Sequence, residues 1–270
     1  MKRLFFIFYF LFLHISMQAN EFPFQSGEEL KFDIHYKYGL VMLKAGTANF
    51  KVVGSNYKNN NSFLLVLDFK TSSFFDKIFK MRDTLSSYTT ENLQPLYHIR
   101  SVNEGNYHFT EEIFFNEFRT KYTEARVKRE SQKIVRFDTV LTDNSMCYDI
   151  LNVISIICSL DYSLLRYDQE KTVSIFIGKG KVTVTIRNEG QSVVEKSETL
   201  KYKTYKIALD FLDSNFNESK NAIEIWVSDD KNHIPIKIRA KLRIGAAEVH
   251  LVSWKNLKYP LSSEVKIPTG

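Results

Sequence analysis

Three groups of residues have types and spacing that could do chemistry. The first is Trp226-Val227-Ser228-Asp229-Asp230. Paired carboxylates beside an aromatic ring can act as acid and base or hold a cation or substrate. Successive strand residues point to opposite faces, however, and Asp229-Asp230-Lys231-Asn232 is also good turn chemistry between two apolar runs. The second group is Lys237, Arg239, Lys241 and Arg243. On a strand these form a cationic stripe with a repeat of about 6.7 Å. Such a stripe either meets phosphates, acidic glycans or a partner, or is solvated and neutralised by Glu224 and Glu248 on flanking strands. The third is Phe74-Phe75 with Ile78-Phe79, which reads as an apolar loop at a cavity mouth or as simple core.

The familiar catalytic patterns are missing. The chain has no Gly-x-Ser-x-Gly, no His-Glu-x-x-His and no Cys-x-x-Cys. Gly178-Lys179-Gly180 lacks the glycine spacing and the following Ser or Thr of a phosphate loop, so a hairpin turn is expected there. No two of His35, His98, His108, His233 and His250 are spaced to share a strand or helix face. We therefore expect no metal and no cofactor, and a non-enzymatic role ahead of an enzymatic one.

The elements that must position these groups begin after an export signal. Lys2 and Arg3 precede an apolar run from Leu4 to Ile15, and Met17-Gln18-Ala19 closes the segment. This pattern predicts a signal peptide over residues 1–19, cut after Ala19. The run is shorter than the roughly 20 residues of a membrane-spanning helix. Asn20-Glu21-Phe22 offers no cysteine for lipid attachment, and no later run is long and uncharged enough to span a bilayer. The expected product is soluble, without a transmembrane anchor. Loss of Lys2 and Arg3 lowers the formal charge from +6 by two, a balance that does not point to nucleic acid.

Residues 20–270 read as one β-rich domain. Content is rich in strand-favouring aromatics, with 22 Phe and 14 Tyr. Residues 28–36 alternate, Gly39 and Gly46 bracket 40–45, and a second strand is expected over 46–53 with a return over 63–70. A meander of strands follows to residue 140. Ile234 to Ile244 alternates without an error, the clearest strand in the chain. Residues 143–165 break the rule: Asp143, Asn144 and Ser145 are N-cap candidates for a helix whose broad apolar stripe asks for cover on most sides. The expected fold is all-β or mainly β, a large curved antiparallel sheet or half-barrel wrapped around one main α-helix. If Cys147 and Cys158 both lie on that helix, its rise separates them by about 16 Å. A disulfide needs about 7 Å, so two buried thiols are expected.

Several short motifs together resemble the DUF3108 family of exported bacterial proteins of unknown function. They are Tyr36-Lys37-Tyr38-Gly39 leading to Lys44-Ala45-Gly46-Thr47-Ala48, Leu93-Gln94-Pro95-Leu96-Tyr97, Glu104-Gly105, Ile225 to Asp230, His233-Ile234-Pro235-Ile236 and Gly245. The chain departs at Cys147–Tyr162, where an Asp-x-x-Ser pattern is expected and Asp149 and Asn152 stand instead. The resemblance lends no catalytic residues. It implies a periplasmic, Gram-negative envelope protein akin to curved half-barrels that shuttle lipid-linked cargo, and the Asn-, Lys- and Phe-rich composition fits a Bacteroidetes source. Three roles follow: binding of an apolar or amphipathic ligand, such as a lipid or lipid-linked glycan; glycan-acting envelope enzyme; or a structural module docking another envelope protein.

Overall fold

A computed structural model describes residues 22–165, 167–213 and 218–266. The expected leader, 1–19, lies outside them. The first half of the chain is a meander of β1 (Glu29–Tyr38), β2 (Val41–Tyr57), β3 (Asn60–Thr71), β4 (Arg82–Thr89), β5 (Pro95–Glu104), β6 (Tyr107–Arg119), β7 (Tyr122–Ser131) and β8 (Ile134–Asp143). A two-residue strand β9 (Cys147–Tyr148) and the helix α1 (Ile150–Ser159) follow. The second half is β10 (Glu170–Ile177), β11 (Gly180–Ser197), β12 (Leu200–Asp213), β13 (Glu218–Ser228), β14 (Pro235–Lys241), β15 (Ala246–Lys255) and β16 (Glu264–Lys266).

All the strands belong to one sheet. Its order runs β8 to β1, then β15 back to β9, with β16 paired on β12. Pairing is antiparallel except for the short β9–β10 contact. The sheet curls into a nearly closed barrel around α1, which matches the expected architecture. Its ends overlap rather than pair edge to edge. Ile175 of β10 faces the main core, whereas its neighbour Phe176 points the other way and packs on Ile113, Ala125 and Val127 of β6 and β7. The overlap covers the edge of β10 that would otherwise present unpaired backbone.

Register follows from alternation, with exceptions that have local causes. Gly46 reads as a break but lies inside β2, where the register of β1 and β2 slips between Ile34 and His35. A Cβ at Gly46 would sit 2.2 Å from the Lys70 carbonyl oxygen, so only glycine lets β3 approach there. The strand expected over 234–244 spans Pro235–Lys241. Arg243 falls in the turn, which closes at Gly245 (φ +76°).

The helix is also shorter than expected. Asp143 ends β8, Cys147 and Tyr148 pair with β10, and the N-cap is Asp149. Residues 143–145 have cap chemistry, but Ser145 is held by Asp143 and by Thr123 of β7, which keeps the chain in the sheet for two more pairs. Both cysteines are free and buried, Cys147 on a strand and Cys158 on the helix.

One end of the barrel is plugged. The segment 22–28 and residues 256–263 cross it, with the Gln25 side-chain amide donating to the carbonyls of Asn256 and Leu257 at 2.9 and 3.0 Å. Phe22 stacks on Phe63 with ring centroids 4.2 Å apart. Glu28 is buried in this plug, and burial raises its pKa to about 7 against weaker opposition from backbone hydrogen bonds at Gln25 and Lys258 and from the Lys258 charge. Its contribution to stability is therefore complete below the unfolded value near 4.5 and is lost as pH rises through about 7. Glu28→Gln should raise the melting temperature relative to wild type at pH 8 and leave it nearly unchanged at pH 4.5. Equal differences at both pH values in thermal melts would contradict this origin.

Candidate functional site

The concave side of the sheet is apolar and is not completely filled. Around α1, alternation sends Leu30, Phe32, Ala48, Phe50, Ile225 and Val249 inward from the wall. Ile154 and Ile157 face them from the helix and leave an apolar cavity of about 90 Å³. Towards the unplugged end the inward residues become half-buried, including Ile34, Phe69, Ile223 and Ile238. An interior lined in this way offers no hydrogen bonds and favours hydrocarbon over water.

What holds the helix in place is a buried polar clamp. Asp149 Oδ1 accepts from the backbone N–H groups of Leu151 and Asn152 at 2.9 and 3.1 Å, satisfying the first turn. The same oxygen accepts the Ser87 hydroxyl at 2.8 Å, and Ser87 lies 2.8 Å from His98 Nδ1. Asn152 donates to Thr89 Oγ1 and to the Leu93 carbonyl. Ser, His and Asp are the residue types of a hydrolytic triad, but their order is wrong for that chemistry. Nucleophilic catalysis needs the imidazole between hydroxyl and carboxylate. Here the hydroxyl stands between and gives its proton to Asp149, so His98 Nδ1 is the donor to Ser87. All three side chains are buried. Burial, helped by Arg100, lowers the His98 pKa against the pull of Asp149 and Glu111, which keeps the ring neutral.

A second polar site lies where the overlapping ends of the sheet meet the unplugged rim. Turns 105–109, 131–137 and 178–179 surround a cleft of about 580 Å³. Glu111 is buried behind Arg129, which lines the cleft. Its Oε2 accepts from Arg129 Nε at 2.8 Å and also from Nη2, while Oε1 lies 3.5 Å from Arg100 and 3.4 Å from the Gly178 N–H. Both guanidiniums lie over the Phe109 ring, at 5.0 Å for Arg100 and 4.5 Å for Arg129. The exposed walls add Arg136 and Lys179. Gly178-Lys179-Gly180 is indeed a hairpin turn, but it contributes a cation and a backbone donor to this cleft.

The residues singled out in the sequence are dispersed. Asp230 Oδ1 accepts from Ser228 Oγ and from the Asn232 N–H, and its Oδ2 accepts from the Ser263 N–H, the pattern of a turn at the plugged end. Asp229 accepts from the Gln191 amide. Trp226 faces away from that turn's carboxylates, on the outer wall, with Lys206 and Lys237 within 5.5 Å of its ring. Lys237 pairs with Glu248 at 3.1 Å and Arg239 with Glu224 at 3.7 Å. Burial raises the Glu248 pKa, yet hydrogen bonds and charge from Lys237 and Lys37 outweigh it and hold it at about 2. Half of the stripe is thus spent on its own wall, while Lys241 and Arg243 lie exposed near the rim. Phe74 is exposed and Phe75 half-buried, in the β3–β4 connection at that rim.

Residues 31–252 match the family model described as protein of unknown function DUF3108. The chain belongs to the DUF3108 family. A comparison with curated proteins finds no match. Among solved structures, a beta-barrel-like protein of domain of unknown function DUF1849 from Brucella abortus is similar at a TM-score of 0.57 and 11% identity. The similarity covers 85% of this chain and 97% of that one, and it shows a shared fold.

In this DUF3108 member, the stretch where an Asp-x-x-Ser pattern is expected forms part of the clamp. Asp149-Ile150-Leu151-Asn152 caps α1 and ties its first turn to β4. The clamp has no signature in the sequence, because Ser87, His98 and Asp149 are far apart in the chain and carry no spacing rule. The carboxylate behind the cleft has no sequence signal for the same reason: Glu111 and its two arginines come from three strands.

Proposed function

We propose that this protein is an exported periplasmic carrier that takes the hydrocarbon part of an amphipathic ligand, such as a lipid or lipid-linked glycan, into the barrel. The apolar, incompletely filled concavity beside α1 supports this reading most directly. A structural core would gain by closing such a gap, because residual cavity volume destabilises by about 24 cal/mol per Å³. At about 90 Å³ the cavity seats only the end of a chain, and the half-buried apolar residues between it and the unplugged end would line the rest. No helix among the described residues is long and apolar enough to cross a membrane.

Ala48 lines the cavity and supplies a clean test. Ala48→Leu adds three carbons into the gap, so it should reduce saturable uptake of a fluorescent acyl probe by roughly tenfold while leaving the fold intact, since filling space this way adds apolar contact. Unchanged uptake in the folded variant, or no saturable uptake by delipidated wild type, would count against the carrier reading. The enzymatic alternative on Asp229 and Asp230 is not favoured, because Asp230 is spent in the turn and Asp229 is bonded to Gln191 of β11.

A further inference from the structure

We propose that the unplugged rim of the barrel docks onto the surface of an anionic lipid bilayer, a claim independent of what fills the cavity. The hairpin tip 38–43 is exposed throughout, with Leu40 fully so. Beside it stand Phe74, Ile78 and Phe79 of the β3–β4 connection, and across the β1–β15 border Leu242 and Ile244. These turns form one surface rather than scattered tips. The Ser72 N–H donates to the Ala45 carbonyl, the Gly105 N–H to the Lys80 carbonyl, and the Tyr36 hydroxyl to the Ile244 carbonyl. Tyr107 and Ile134 continue the apolar rim beside the basic cleft. Most of the exposed large apolar side chains among the described residues project from this end. A contiguous exposed apolar patch marks an interaction surface.

Charge decides which partner fits. Within turns 36–45, 72–81, 104–109, 131–137, 177–180 and 241–246, every exposed charged residue is Lys or Arg, including Lys77, Lys80, Lys133 and Arg136, while the β12–β13 connection at this end carries Asp213 and Glu218 in its sequence. The acidic residues of those turns, Asp76 and Glu104, are half-buried, and Asp76 is held by Arg82 at 2.7 Å. Apolar tips ringed by cations match the layering of an anionic bilayer, with hydrocarbon below and phosphate around it. A second copy of the same rim would set cation against cation.

Vesicle flotation with the full mature chain tests this. Wild type should float with phosphatidylethanolamine–phosphatidylglycerol vesicles, bind pure phosphatidylcholine far less, and lose binding as salt rises. Leu40→Asp with Ile78→Asp, and separately Lys77→Glu with Lys80→Glu, should each weaken binding by roughly tenfold or more. Val193→Asp, exposed on the wall far from the rim, should bind as wild type does. These are surface changes, and an unchanged thermal melt verifies the fold. Wild-type-like flotation by both rim variants would overturn the proposal. So would absence of vesicle binding, or a dimer in solution that the rim variants dissolve.

Discussion

Asp149→Ala should destabilise the protein by about 3 kcal/mol, because it removes a helix cap and strands its donors at once. Asp149 Oδ1 is the acceptor for two backbone N–H groups of α1 and for the Ser87 hydroxyl. The site is buried, so water cannot replace the lost acceptor without opening the wall. Loss of the cap alone costs about 1–2 kcal/mol, and unsatisfied buried donors add a similar amount. Asp149→Asn keeps an oxygen in place and should lose less than half as much. Urea unfolding of the three proteins checks the order. A loss below about 1 kcal/mol for the alanine variant would mean that apolar packing alone holds the helix.

The second large effect is expected at the seam. Glu111→Ala leaves Arg129 and Arg100, both over the Phe109 ring, without their shared carboxylate, and it frees the Gly178 turn. Removing one partner of a buried pair costs about 3–5 kcal/mol, and since both guanidiniums are partly exposed, about 2–3 kcal/mol is expected. The loss should be local as well as global. Hydrogen exchange should quicken in 107–111 and 176–180, where the sheet ends overlap, before it quickens in β1 or β15. Uniform quickening across the sheet, or none, would show that Glu111 does not hold the overlap.

Both predictions concern contacts that the sequence does not advertise, whereas the sheet itself is written locally. Ile236 and Ile238 against Lys237 and Arg239 state which face of β14 is inside, because strand periodicity is a property of neighbours. The broad stripe of α1 likewise announced a helix wrapped by sheet. Gly46 was misleading because a glycine that ends a strand and a glycine that lets another strand approach look the same in one dimension. The helix starts later than the cap chemistry suggests for a similar reason. Asp143 and Ser145 have the right side chains for a cap, but Thr123, more than twenty residues earlier, keeps that stretch in the sheet. The candidate site was only half legible. Phe74-Phe75 reads in sequence as a cavity mouth or as core, while the rim that it joins is built from turns spread over the whole chain.

The central claim is that a hydrocarbon chain lies inside the barrel beside α1. Photocrosslinking of delipidated protein with a diazirine-bearing fatty acid, followed by peptide mapping, tests it most directly. Labels should concentrate on cavity walls, at Phe24, Phe50, Ile157 and Val249, and should be competed away by unlabelled acyl lipid. Labelling confined to the outer wall or to the exposed rim, with the cavity residues unmodified, would contradict it.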